Sequence, residues 1–89
     1  MDDFAKKEAQ KNHKKLSQKL AETEELIAKL ESEKLAQENT LADPTIYNDA
    51  QALKRENAIY QQIQDKLKNT NEIWEEVMLE MEELEGVLS

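Results

Sequence analysis

Leu41-Ala42-Asp43-Pro44-Thr45-Ile46-Tyr47-Asn48-Asp49 is the one strongly punctuated stretch in a chain of 89 residues, and its reading decides the fold. Pro44 has no backbone N–H to donate and pushes the residue before it away from helical angles. A helix arriving from the N-terminal side therefore stops near Leu41 or Ala42. Asp43 followed by proline reads as an N-cap with Pro at the first helical position, enough for a single turn. Asn48, with Gln51 three residues later, reads as a capping-box variant that opens a second helix. Gly86, the single glycine, reads as the C-cap that ends it.

Both arms outward from this break repeat in steps of four and three. The left arm runs Ala9, His13, Leu16, Leu20, Thr23, Ile27, Leu30, Lys34, Gln37, Leu41. The right arm runs Leu53, Glu56, Tyr60, Ile63, Leu67, Thr70, Trp74, Val77, Met81, Leu84, Leu88. This is the heptad seam of a coiled coil and not the period of two of a strand. The expectation is an all-α chain: two long helices in an antiparallel coiled-coil hairpin, forming one domain over 1–89. Helix 1 covers about 4–42, the turn 43–48 and helix 2 about 49–86, each arm roughly 50–60 Å long.

Antiparallel helices joined by a short turn set a positions of one against d positions of the other. A turn centred on Thr45 pairs Leu30 with Tyr60, Ile27 with Ile63, Thr23 with Leu67, Leu20 with Thr70 and Leu16 with Trp74. It also sets Lys34 against Glu56, so a polar lapse meets an opposite charge. Sliding the pairing by one heptad puts Lys34 against Ile63 and Gln37 against Tyr60, which strands polar groups, and the first register is preferred. Leu26, Ile59 and Ile73 flank the seam and widen its apolar stripe. Tyr47 is expected to pack over the end of the seam, near Leu41 or Leu53. The Pro44 break favours a monomeric hairpin over two open helices pairing between chains.

Composition narrows the function. Without cysteine there is no disulfide framework and no Cys-based zinc site. One glycine excludes a Gly-rich phosphate loop, and one histidine excludes a His-pair metal site. His13 lies on the seam with no fixed nucleophile or carboxylate cluster beside it, so it reads as a polar seam residue, not a catalytic one. Trp74, Tyr60 and Met81 read as seam residues too. The glutamates near the C-terminal end lack the loop geometry of a calcium site. No catalytic residue and no metal ligand is expected. No apolar run approaches the roughly 18 residues of a membrane span, and no signal-peptide pattern opens the chain, so no membrane contact is expected.

Charge is where binding chemistry could reside. The total is 12 Lys+Arg against 20 Asp+Glu, a net −8, but its distribution is uneven. Lys6, Lys7, Lys11, Lys14, Lys15 and Lys19 crowd the start, and Lys7, Lys11, Lys14 and Lys15 fall on the outer face of helix 1. Glu72, Glu75, Glu76, Glu80, Glu82, Glu83 and Glu85 follow one another near the other end with no basic residue between them. Folded back, the two strips lie side by side at the open base of the hairpin. One reading makes both strips solvated faces. The other makes Lys7, Lys11, Lys14, Lys15 and Lys19 a nucleic-acid-binding strip that contacts phosphates, one-sided because the chain as a whole is acidic.

The turn Leu41-Ala42-Asp43-Pro44-Thr45-Ile46-Tyr47, followed about one arm later by Trp74-Glu75-Glu76, resembles the C-terminal coiled-coil domain of ABC-F ATPases of the Uup and YheS type. In that family a Leu-Ala-Asp-Pro-x-x-Tyr turn joins two helices, and the second carries Trp-Glu-Glu near its end. The Lys-rich start, with Lys14-Lys15-Leu16-Ser17, is similar to the basic lead-in from the ATPase core; Gln18 stands where some members carry an aromatic residue. The resemblance spans roughly residues 6–85. It implies the C-terminal tail of a cytoplasmic protein with two ATP-binding cassettes. ATP and magnesium would belong to that parent and no cofactor to this part of it. The implied partners are DNA or ribosomal RNA and the ATPase core of the same chain. The alternative is a protein-interaction or spacer hairpin without nucleic-acid contact.

Overall fold

The computed structural model describes residues 2–89; Met1, the first residue of the expected 1–89 domain, lies outside them. The fold is an all-α hairpin. Helix α1 runs Asp3–Leu41, a single turn α2 runs Pro44–Tyr47, and α3 runs Ala50–Leu88. The long helices pack against each other along a rod 67 Å long and about 15 Å across.

Capping chemistry sets each boundary. Asp2 caps α1, its carboxylate accepting from the Ala5 N–H at 2.7 Å. Asp43 caps α2 by accepting from the Thr45 N–H and hydroxyl, both at 2.9 Å, with Pro44 at the first helical position. Two expected caps move. The cap of α3 is Asp49, not Asn48: Asp49 accepts from the N–H groups of Gln51 and Ala52. Asn48 is instead the C-cap of α2, its N–H bonded to the Pro44 carbonyl. Gly86 does not end α3, which passes through it to Leu88, and Ser89 is the C-cap. No residue among those described has a left-handed backbone, so glycine has no conformational advantage at position 86.

Burial follows the heptad with one exception, Ala52, which precedes the half-buried seam residue Leu53. Ala9, Thr23, Leu30 and Gln37 are the buried residues of α1, and Ala52, Ile63, Leu67, Thr70 and Val77 those of α3. Leu30, Ile63 and Leu67 form the central cluster, with Ile27 packed on it. The polar members satisfy themselves. Thr23 and Thr70 donate to the carbonyls of Lys19 and Lys66, each at 2.7 Å. Gln37 Nε2 donates to the Glu56 carbonyl and carboxylate, each at 2.8 Å. No buried side-chain nitrogen or oxygen among the described residues lacks a partner, as a thin seam requires.

The register differs from the expected one. Tyr60 donates its hydroxyl to Glu38 at 2.7 Å, about two helical turns nearer the hairpin turn than Leu30, its expected partner. Leu16 shares a groove with Glu80, Glu83 and Leu84 and not with Trp74. The single turn α2 stands between the long helices and contacts both, with Ile46 half-buried and Ala52 at the start of α3 buried. Near the end of α1, Gln37 already bonds to Glu56, about two turns into α3, so α1 meets α3 further along than expected. The objection that this register strands polar groups fails for Gln37, whose amide reaches Glu56. Glu56 therefore carries Gln37 and the neighbouring Arg55, not Lys34.

Tyr47 is half exposed, with Ile46 half-buried beside it. One further expectation changes. Leu26, Ile59 and Ile73 are exposed, so they add less to the core than a widened stripe implies.

Candidate nucleic-acid interface

Lys7, Lys11, Lys14, Lys15 and Lys19 all lie on the first half of α1 and all are exposed. Their placement follows from the heptad. With Leu16 and Leu20 turned to the seam, Lys7, Lys11, Lys14 and Lys15 fall on the outer face of the helix, and Lys19 toward one flank. Glu72, Glu75, Glu76, Glu80, Glu82, Glu83 and Glu85 on α3 are likewise exposed.

The two strips meet at the open base, as the hairpin topology requires. Lys15 lines the same groove as Glu80 and Glu83. His13 Nε2 lies 3.2 Å from Glu85 Oε1, a cross-helix contact that ties the strips together. His13 is thus a seam residue with a carboxylate neighbour, a pairing that only the observed register could reveal. Among the described residues the ion-pair contacts are His13–Glu85 and Arg55–Glu56. None of the five lysines is locked to a glutamate.

Elsewhere the polar chemistry is concentrated near the turn. The Asp43 carboxyl is held below the ordinary aspartate range, first by the Thr45 backbone N–H and then by the Thr45 hydroxyl. Tyr60 is pushed above the ordinary tyrosine range, chiefly because its hydroxyl donates to Glu38. Both groups serve the fold: one caps α2 and the other fixes the register. No group of three His, Asp or Glu among the described residues is placed to hold a metal ion, and no helix among them is long and apolar enough to cross a membrane.

Comparison with family models, with curated proteins and with solved structures gives no match for this chain.

Proposed function

We propose that this hairpin is a non-catalytic C-terminal coiled-coil appendage of a cytoplasmic ATP-binding protein of the ABC-F type. In this reading it contacts DNA or ribosomal RNA through Lys7, Lys11, Lys14, Lys15 and Lys19. The observation that supports it best is the exposed lysine strip, whose ammonium groups are not taken up by the acidic strip next to them. A rigid helix face carrying cations at near-regular spacing can lie along a phosphate backbone, which positions the protein without reading sequence. The Leu-Ala-Asp-Pro turn with its distant Trp-Glu-Glu supports the assignment to that kind of parent, whose cassettes would hold ATP and magnesium.

The test is a titration of labelled duplex DNA and structured RNA at several salt concentrations. Binding should weaken with salt by a little under one log unit per phosphate contact for each log unit of salt. Replacing Lys11, Lys14 and Lys15 with Glu should abolish binding and leave helicity intact, since none of them is buried. Replacing Glu75, Glu76 and Glu83 with Gln should strengthen it by removing repulsion from the neighbouring helix. Equal behaviour of all three proteins would overturn the proposal. It would favour a spacer or protein-interaction role, to which the 67 Å rod is also suited.

A further inference from the structure

The hairpin has two flanks beside its seam, and they differ in chemistry. One carries Glu24, Glu31 and Glu38 from α1 with Asn57, Gln64 and Asn71 from α3, a polar edge. The other carries every seventh residue of a different set. On α1 it reads Asn12, Lys19, Leu26, Glu33, Thr40; on α3 it reads Ile59, Lys66, Ile73, Glu80, Val87. Its apolar members stay in water: Leu26 is 45% exposed, Ile59 39%, Ile73 41% and Val87 54%. Two grooves open along this flank. One is lined by Leu16, Leu84 and Val87 with Lys15 and Glu80 at its rim. The other runs between Leu26, Leu30 and Glu33 of α1 and Lys66 and Thr70 of α3.

We propose that this flank docks against the same flank of a second copy of the chain, turns at opposite ends, to form an antiparallel four-helix bundle. The pattern is self-complementary about Leu26 on α1 and Ile73 on α3. A two-fold axis at that level sets Ile73 against the partner's Ile73 and Leu26 against the partner's Leu26. It sets Lys19 against the partner's Glu33 and Lys66 against the partner's Glu80. It also sets Ile59 against the partner's Val87, so the apolar residues at both ends are covered by apolar ones. Docking with the turns at the same end would instead set Ile59 against Thr40 and Val87 against Asn12, leaving apolar groups on polar ones. The flank runs along a rod 67 Å long, room enough for the roughly 800 Å² per partner of a stable interface. Such an interface is isologous, each contact occurring twice. Lys7, Lys11 and Lys14 lie outside it and stay open, whereas Lys19 pairs across it and Lys15 lies at its edge, so the dimer offers phosphate only part of the lysine strip proposed above.

Sedimentation equilibrium of the whole chain from micromolar to millimolar concentration tests this. The expected result is reversible association to twice 10.3 kDa and no further. Leu26→Glu with Ile73→Glu should leave the chain monomeric with unchanged helicity. Lys66→Glu should weaken the dimer about tenfold, since two exposed attractions become repulsions. Lys66→Glu with Glu80→Lys should restore it. That double swap separates contacts between chains from contacts within the hairpin, because it mismatches Lys66 with Glu33 and Glu80 with Lys19 of the same chain. Ile73→Cys, in a chain with no other cysteine, should oxidise to a covalent dimer. A monomer at millimolar concentration, or a dimer that neither responds to the double swap nor crosslinks through position 73, would overturn the proposal.

Discussion

Asp49 shows how much one residue contributes to a hairpin with so little core. Its carboxylate takes the N–H groups of Gln51 and Ala52, two of the donors a helix start leaves without partners. Asp49→Ala should lower stability by about 1 kcal/mol in a denaturant titration, while Asp49→Asn keeps most of it. Tyr60 gives a prediction in the alkaline range. Its ionisation is raised in the folded state by Glu38, so its contribution is complete below the ordinary tyrosine range and is lost as pH rises through the folded value. In a Tyr47→Phe background, tyrosinate absorbance should report that raised ionisation, and Glu38→Gln should bring it back down. Asp43 has the opposite sign. Its carboxyl is held low, so its stabilising effect is present above the ordinary aspartate range and fades as pH falls through the folded value. Asp43→Asn should flatten the acid-side dependence of thermal stability.

At the scale of the elements, the heptad is legible except at the start of α3, where Ala52 is buried and the expected seam residue Leu53 only half so. Val77, only 1% exposed, and Leu30, at 4%, sit where the steps of three and four put them. Leu30→Ala should cost about 2–4 kcal/mol, as removal of a core leucine does. Leu35→Ala, on the outer face and 62% exposed, should stay within about 0.5 kcal/mol. Chemical denaturation of the two variants checks the contrast. The caps were less legible, because Asn48 and Asp49 both suit an N-cap, and the choice between them depends on whether α2 completes its turn. Gly86 misled for a related reason: glycine permits a left-handed stop but does not impose one, and the helix continues through Val87 and Leu88. The lysine strip was legible as a face, since burial of Leu16 and Leu20 fixes where its neighbours point. Its relation to individual glutamates was not, because that depends on register.

Register belongs to the whole molecule. Polar seam residues are expected to avoid apolar partners, yet Thr23, Thr70 and Gln37 find acceptors within their own helix or on the facing backbone. The penalty that should have selected the expected pairing is therefore absent. With α2 standing between the long helices, α1 pairs with α3 about two turns further along than expected. The base of the hairpin inherits that choice: it sets His13 beside Glu85 and Lys15 beside Glu80 and Glu83. It also sets Leu26 near the level of Ile73, on which the proposed bundle rests. Nuclear Overhauser contacts from the Leu16 methyl groups test this arrangement most directly. The account predicts cross-peaks from Leu16 to the methyl groups of Leu84. Cross-peaks from Leu16 to the Trp74 ring, with none to Leu84, would contradict it.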